Sequence, residues 1–245
     1  MRKSTFSGLL LCTFLSIVGL QSCKDDAHLT TPPPIADQSF TEEFDTTAAA
    51  FARGWKTINA SDPKGSNVWQ QGGDINPWFT PFSSNGSYAG FIGADYTSTS
   101  AAAGLISNWL ISPPVIMQNG DKIVFHTRGL IYQASATDST DYANRMQVRI
   151  NPVDDGLNVG YGVDAGNFKI TLLDINPFYA EYHSNPALYE PDAYPARWTR
   201  FEATVSGLNK PVKGRFAFRY FVDGAGWNGR GSGVAVDQVK YIGKK

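Results

Sequence analysis

Alternation of apolar and polar residues is the feature that most limits what this chain can fold into. Met146, Val148 and Ile150 are separated from one another by single polar residues, and Arg215–Tyr220 has an aromatic residue at every second position. Because successive side chains of a β-strand point to opposite faces, each segment predicts a strand with one buried face. Further strands are predicted at Phe40–Phe44, Trp55–Ile58, Tyr88–Ile92, Leu105–Ile111, Lys122–Thr127, Phe168–Leu173, Trp198–Val205 and Val234–Tyr241.

Roughly ten strands exceed what one flat sheet accommodates, so the sequence predicts an all-β sandwich of two antiparallel sheets. Composition agrees, because 24 glycines, 14 prolines and 13% aromatic residues disfavour long helices. Only Thr46–Ala52 is compatible with a helix. We expect residues 38–245 to form a single domain with its own core.

The N-terminal segment has the pattern of a bacterial lipoprotein signal peptide. A short cationic start precedes the apolar run Leu9–Leu20, which is too short to span a bilayer of ~30 Å. The run ends in Leu20-Gln21-Ser22-Cys23, which resembles a lipobox. We therefore expect removal of residues 1–22 and attachment of acyl chains such as palmitate to Cys23, which anchor the protein in a membrane. The alternative is an ordinary secretory signal with an incidental Cys23.

Residues 23–37 have the composition of a flexible tether. Lys24-Asp25-Asp26 resembles the export signal of surface-exposed outer-membrane lipoproteins, and the proline-rich segment Thr30–Pro34 favours extended polyproline II. We expect the domain to be lipid-anchored at the outer membrane and to face the cell exterior. A periplasmic orientation is the alternative.

The charge balance argues against nucleic acid as a partner. The chain has 21 Lys and Arg against 22 Asp and Glu, which gives a formal net charge of −1. Because binding to phosphates needs a basic surface, we expect no DNA or RNA partner.

Several motifs, in sequence order, resemble those of one bacterial family. Glu43-Phe44-Asp45, Gly54–Asn59 and Trp69 resemble the opening of the choice-of-anchor J and cleaved-adhesin domains. Ser107–Pro113 resembles that family's S-x-W-L-I-x-P strand. The match continues at Arg145–Arg149, Tyr194–Thr199, Gly214–Tyr220 and Val236–Val239. The resemblance implies a jelly-roll β-sandwich, distantly similar to MAM domains, on a surface or secreted bacterial protein such as the haemagglutinin modules of gingipain proteases.

The sequence carries no recognisable catalytic motif. A glycosidase needs two carboxylates that face each other at ~5–9 Å across a cleft. The five glutamates begin no E-x-D-x-x-E run; they are Glu42, Glu43, Glu181, Glu190 and Glu202. A G-x-S-x-G elbow is also missing. We therefore predict a protein that is not an enzyme, with a glycoside hydrolase as the least favoured class.

The segment Gly224–Gly229 fits G-x-G-x-x-G, but a dinucleotide site needs a helix after the third glycine. Here Arg230–Val236 leads into another strand, so we predict a long hairpin loop instead. The histidines, His28, His126 and His183, are scattered and indicate no metal site.

The family resemblance also implies a structural Ca²⁺ ion. In such domains an acidic residue of the first strand, acids of the following loop and an aspartate of the last strand share one ion. The matching positions here are Asp45, Asp62 and Asp237, with Glu43 as a neighbouring candidate. The loop Asn59–Gly65 departs from the family pattern, because it has one acid and a lysine. The alternative is that Asp62 and Asp237 only hydrogen-bond turns.

Aromatic residues in loops are the candidate ligand-binding residues. Flat aromatic faces suit sugar rings and partner side chains, because both present apolar C–H surface. The candidates are Trp78, Phe79, Tyr179, Tyr182, Tyr189 and Trp227. Alternatively, these rings pack beneath their own loops. The strand tryptophans Trp55, Trp69, Trp109 and Trp198 are predicted to be core.

These observations predict a surface-anchored, non-catalytic binding or adhesion lipoprotein that binds a glycan or an extracellular protein. A structural or accessory module of a cell-envelope assembly, with no ligand of its own, is the alternative. Loop aromatics that line one groove would favour the first function over the second.

Overall fold

Two antiparallel sheets are packed face to face in the computed structural model, which describes residues 35–244. The predicted signal peptide, Cys23 and the tether up to Pro34 lie outside the described residues. Within residues 35–244, no helix is long and apolar enough to cross a membrane.

The helix and strands of the described chain follow one another in this order: β1 (Phe40–Glu42), α1 (Thr47–Ala52), β2 (Lys56–Asn59), β3 (Gln70–Gln71), β4 (Ile92–Asp95), β5 (Gly104–Ile111), β6 (Val115–Met117), β7 (Lys122–Gly129), β8 (Tyr132–Gln133), β9 (Ser139–Thr140), β10 (Met146–Asn151), β11 (Ile170–Ile175), β12 (Thr199–Thr204), β13 (Val212–Ala225) and β14 (Gly233–Ile242). Short 3₁₀ turns occur at Tyr96–Ser98 and Pro186–Leu188.

The first sheet has the strand order β12-β7-β14-β4-β3, and β1 pairs with the C-terminal half of β14. The second sheet has the order β11-β10-β13-β5-β2, and β6 pairs with the start of β13. Strands β8 and β9 form a separate hairpin. The all-β jelly-roll sandwich expected from the sequence is confirmed.

Three predicted strands are shifted. The segment Tyr88–Ile92 is mostly loop, and strand β4 begins only at Ile92. The strand predicted from Phe168 begins at Ile170, because the Phe168 ring is buried in a small cluster outside the sandwich core. Strand β1 ends at Glu42, and Phe44 has a left-handed φ of 50°. The single predicted helix is present as α1.

Aromatic rings connect the two sheets through the core. Phe216 of β13 stacks on Phe40 of β1 and Tyr241 of β14, at centroid distances of 6.3 and 6.0 Å. Trp55 meets the same ring edge-on at 5.8 Å. Phe216, Tyr241 and Trp55 are at most 1% exposed. This stack therefore joins β1 and β14 of the first sheet to β13, the central strand of the second sheet.

A second, smaller core lies beneath the loop 157–168. Trp109 and Phe168 are buried together there, at a centroid distance of 5.3 Å. Beside them Arg219 is only 2% exposed and donates hydrogen bonds to the carbonyl oxygens of Gly162, Val163 and Asp164. Burial lowers the pKa of Arg219 to about 9. The guanidinium satisfies loop carbonyls that have no strand partner.

We expect Phe216→Ala to lower the free energy of unfolding by about 3–5 kcal/mol, because the truncation leaves a cavity between the sheets. Urea denaturation of the variant and the wild type measures this loss. Ile116→Ala is a matched control at an exposed position (39%) and should cost less than about 1 kcal/mol. A loss for Phe216→Ala no larger than that of the control would contradict a stack that connects the sheets.

Candidate functional site

The segment Gly226–Ser232 links β13 of the second sheet to β14 of the first, so it crosses between the sheets. The hairpin predicted for it is therefore wrong, because β13 and β14 are not paired with each other. The segment forms one wall of a cleft of about 570 Å³. We call this the tyrosine cleft; its lining residues include Tyr96, Tyr132, Tyr142, Trp227, Asn228 and Ser232.

Four elements far apart in sequence bring the aromatic rings of the tyrosine cleft together. Tyr96 begins a 3₁₀ turn after β4, Tyr132 lies on β8, and Tyr142 follows β9. Trp227 is 71% exposed, Tyr132 is 40% exposed and Tyr142 is 37% exposed. The rings of Tyr132 and Tyr142 lie 6.5 Å apart at an angle of 44°. Of the ring-bearing residues here, sequence analysis identified only Trp227.

Burial and neighbouring phenol and carboxylate groups raise the pKa of Tyr132 to about 12. Its hydroxyl is therefore protonated at neutral pH and can both donate and accept a hydrogen bond. The cleft thus combines flat apolar surfaces with hydroxyl and amide groups.

A second cleft, of about 330 Å³, adjoins the tyrosine cleft and shares Tyr96 and Trp227 with it. Its remaining lining is rich in small hydroxyl residues and includes one cation: Lys64, Gly65, Ser66, Thr97, Thr99 and Ser100. We call it the hydroxyl cleft. Trp227 therefore stands at the boundary between two adjoining clefts.

The predicted ligand residues Trp78 and Phe79 pack against their own surroundings. The Trp78 ring lies so close to Gly73 that a Cβ there would approach it to 2.3 Å. Phe79 is stacked on Phe91 at 4.9 Å and lies under the guanidinium of Arg128 at 3.9 Å. Both rings thus pack on the protein itself, and Phe79 also lines an open cleft of about 520 Å³ together with Tyr88.

The prediction that Trp198 belongs to the core is wrong. Its side chain is half-buried and lies just before β12, where the indole N–H donates a hydrogen bond to the carbonyl oxygen of Thr80 at 2.9 Å. Trp198 holds the 76–82 loop against the sheet instead. The core positions of Trp55, Trp69 and Trp109 are confirmed, with at most 1% exposure.

The predicted ligand residues Tyr182 and Tyr189 line a groove of about 690 Å³ between the edge strands β11 and β12. Phe178, which is 91% exposed, lines it as well. We call it the edge groove. Tyr179 does not line it, because its ring faces the guanidinium groups of Arg145 and Arg230 at 5.5 and 4.8 Å.

Two of the predicted calcium ligands, Asp237 and Glu43, interact electrostatically, because burial and, to a smaller extent, the Glu43 charge raise the pKa of Asp237. Asp237 is fully buried and accepts hydrogen bonds from the backbone N–H groups of Phe82 and Ser83 at 2.9 and 3.0 Å. Burial is the larger cause of its raised pKa, which is about 7. Oε2 of Glu43 is buried without a hydrogen-bond partner.

The other two predicted ligands are placed differently. Asp45 accepts hydrogen bonds from the backbone and side chain of Asn85, so it holds the same loop as Asp237. The backbone of Asp62 forms an isolated antiparallel β-bridge with Leu105 of the second sheet, and its carboxylate accepts a hydrogen bond from the Tyr161 hydroxyl. Within residues 35–244, no three His, Cys, Asp or Glu side chains are grouped as a metal site. The unpartnered oxygen of Glu43 beside Asp237 fits part of a hard-cation site, with the remaining ligands to come from backbone or water.

Comparison with solved structures finds domains that are similar to this chain. The K3 cleaved adhesin domain of Lys-gingipain from Porphyromonas gingivalis superposes with a TM-score of 0.51 at 15% identity, over 85% of this chain and 100% of that domain. The K1 domain of the same protein gives a TM-score of 0.49 at 20% identity, over 84% of this chain and 99% of that domain. A family 29 carbohydrate-binding module in complex with mannohexaose gives 0.37 at 7% identity, over 84% of this chain and 92% of that module.

The TM-score above 0.5 shows that the chain has the fold of a cleaved adhesin domain. No family model and no curated protein matches the sequence. Membership of the choice-of-anchor J family stays a prediction.

The calcium prediction can be tested through stability. The pKa of Asp237 is raised in the folded state, so its contribution to stability falls as pH rises from about 4 to about 7. In EDTA, we expect a lower melting temperature at pH 8 than at pH 5, and millimolar Ca²⁺ should restore part of the difference because the ion offsets the carboxylate repulsion.

Asp237→Asn should remove most of the calcium response, and Asp62→Asn, the matched control on the other sheet, should keep it. Calorimetry with either reagent at both pH values makes the measurement. If neither Ca²⁺ nor EDTA changed the melting temperature at either pH, the prediction of a bound Ca²⁺ ion would be wrong.

Proposed function

We propose that this protein is a non-catalytic binding module that holds a saccharide chain across the tyrosine cleft and the hydroxyl cleft. The observation that carries the proposal is the exposed indole of Trp227 on the boundary of both clefts, surrounded by Tyr96, Tyr132 and Tyr142. Single exposed aromatic residues are ordinary on protein surfaces, whereas a concave group of them marks a binding surface.

A saccharide matches the chemistry of this group. One face of a sugar ring is a flat C–H surface that packs on an aromatic ring, while its hydroxyls need hydrogen-bond partners. The tyrosine hydroxyls and the exposed side chain of Asn228 supply such partners on the cleft walls. A purely apolar ligand would leave these polar groups without partners.

The two clefts together favour a chain over a single terminal sugar. A ligand that stacks on Trp227 can extend from the tyrosine cleft into the hydroxyl cleft, where the exposed side chains of Ser66 and Ser100 offer hydroxyl groups. Lys64 also lines the hydroxyl cleft. An acidic sugar there would gain a charge-assisted hydrogen bond, so we favour uronate-bearing chains over neutral ones.

The lining of the tyrosine cleft supports binding without bond cleavage. Hydrolysis of a glycosidic bond needs a pair of facing carboxylates. None of the described residues that line the tyrosine cleft is an acid or a histidine. The cleaved-adhesin fold agrees with a binding role, and an accessory module without a ligand is the second candidate.

We further propose that Cys23 is acylated and holds the domain on the outer membrane, facing the exterior. The lipobox-like Leu20–Cys23 segment, followed by Lys24-Asp25-Asp26, supports this placement. A saccharide site at a cell surface would meet polymers outside the cell.

Trp227→Ala should weaken binding of hexagalacturonate about tenfold to hundredfold, because burial of a large apolar side chain stabilises by ~1.5–3 kcal/mol. Titration calorimetry with hexagalacturonate, xylohexaose and mannohexaose makes the measurement, and Lys64→Ala should reduce affinity only for the acidic chain.

Phe178→Ala is the matched control, because this residue is also an exposed aromatic but lies in the edge groove. It should leave affinity unchanged. Binding that survives Trp227→Ala and is lost in Phe178→Ala would move the site to the edge groove and contradict the proposal.

Cys23→Ala should release the protein from the membrane fraction, since the acyl chains supply the anchor. Fractionation and metabolic labelling with a palmitate analogue in a Gram-negative host measure both consequences. Labelled, membrane-bound Cys23→Ala protein would contradict the anchor.

A further inference from the structure

The cleft residue Tyr142 has an unusual backbone. Tyr142 and Ala143 are consecutive non-glycine residues with φ of 52° and 59°. Residues with a Cβ rarely adopt this left-handed conformation, and it persists only where surrounding contacts hold it. The structure must therefore contain a group that keeps Tyr142 at the wall of the tyrosine cleft.

The carboxylate of Asp141 is that group. It is fully buried and accepts hydrogen bonds from the backbone N–H of Ala143 at 3.0 Å and of Asn144 at 3.1 Å. These two bonds close a tight turn around Tyr142 and fix the direction of its side chain. Thr140 Oγ1 also accepts a hydrogen bond from the Tyr142 N–H at 3.0 Å, so two side chains hold this turn and no paired strand does.

Asp141 also reaches a second loop. Its Oδ1 atom accepts a hydrogen bond from the backbone N–H of Tyr182 at 2.9 Å. Tyr182 lines the edge groove, whereas Tyr142 lines the tyrosine cleft. One carboxylate thus holds a ring-bearing residue in each of two clefts.

The segment that carries Trp227 is attached at the same place. The backbone N–H groups of Gly231 and Ser232 donate to the carbonyl oxygens of Tyr142 and Asp141, at 2.5 and 3.1 Å. Asn144 extends the network, since its side chain donates to Ser232 Oγ at 2.8 Å. A shift of the Asp141 turn would therefore displace both the Tyr142 ring and the Trp227 segment.

We propose that Asp141 is a positioning residue that sets the tyrosine cleft and couples it to the edge groove. The proposal rests on the proposed saccharide site, because positioning has a consequence for function only if the cleft binds. Asp141 touches no ligand itself; it acts through Tyr142, Tyr182 and the Trp227 segment.

The ionisation of Asp141 supports a pH dependence of this arrangement. Burial raises the pKa of Asp141 to about 6, and its four hydrogen bonds from N–H donors limit the rise. A protonated carboxyl group accepts fewer N–H bonds, so the turn should loosen below about pH 6. The buried phenols Tyr194 and Tyr220 also face Asp141, and burial raises the pKa of both far above this range.

A second titratable group, His183, forms a β-bridge with Thr140 close to Asp141. His183 pairs with Asp138 at 2.7 Å, and this contact raises its pKa. Glu181 accepts a hydrogen bond from Thr140 in the same region. A pH effect must therefore be separated from His183 by substitution.

Hydrogen–deuterium exchange of the full chain, resolved to single amides, tests the anchor directly. In Asp141→Asn, protection of the amides of Ala143, Asn144 and Tyr182 should fall together by about tenfold or more. Asp138→Asn is the matched control, because Asp138 accepts a hydrogen bond from the Asn185 N–H but none from residues 143 and 144. Asp138→Asn should lower the protection of amides in the 183–185 segment only.

The pH dependence of amide protection is a second measurement. A purely structural role of Asp141 would not change it. After correction for intrinsic exchange, protection of these three amides in the wild type should fall below pH 7 with a midpoint near 6. The profile should be flat in Asp141→Asn and unchanged in His183→Gln. Wild-type protection in Asp141→Asn, or loss at only one of the two loops, overturns the coupling.

Binding of hexagalacturonate then tests positioning. Asp141→Asn and Tyr142→Ala should each lower affinity about tenfold, and unchanged affinity in an Asp141→Asn protein that has lost protection overturns the proposal. If wild-type protein bound no hexasaccharide, the proposed function would fail instead. The joint loss of protection at both loops would still support the anchor in that case.

Discussion

Buried polar side chains that bind loop backbone hold this sandwich in its functional shape. The sheets satisfy their own peptide groups, but the long connections between them do not. Asp141 and Asp237 accept loop N–H groups, while Asn59 and Arg219 donate to loop carbonyl oxygens. All four side chains are at most 6% exposed. Each loses hydration on burial, and each recovers that cost only while its loop keeps one conformation.

This arrangement explains how a domain with little helix can hold the loops of the proposed binding surface in one conformation. The rings of the tyrosine cleft come from segments after β4, at β8, after β9 and between β13 and β14. None of these segments is long enough to fix a ring by strand pairing alone. The hydrogen bonds of Asp141 and Asn144 connect the last two of these segments, so the Tyr142 and Trp227 walls of the cleft share one support.

The sequence predicted the strands wherever apolar and polar residues alternate, but the expected wet face is wrong for β10 and β13, where Gln147, Ala217 and Arg219 are at most 5% exposed. Phe216 and Val148 gave that pattern, and both lie on central strands. The pattern failed at Tyr88 and Phe168, because their surroundings are loops and a cluster outside the core. Trp227 was identifiable because a glycine-rich segment cannot bury a tryptophan beneath itself.

The remaining cleft residues could not be found in the same way. Tyr96, Tyr132 and Tyr142 lie in three separate segments, and only the tertiary fold brings them together. The role of Asp141 was equally hidden, since an aspartate in a polar segment is typical of any turn. For Asp62, family resemblance suggested a shared ion, but the fold places it on the other sheet.

The most direct test of the account is a ¹H–¹⁵N spectrum of the six tryptophan indole groups during titration with hexagalacturonate. The account predicts that the Trp227 signal shifts with saturation, while the signals of buried Trp55, Trp69 and Trp109 stay in place. A Trp227 signal that does not move at saturating saccharide, or a shift confined to Trp78 and Trp198, would contradict it.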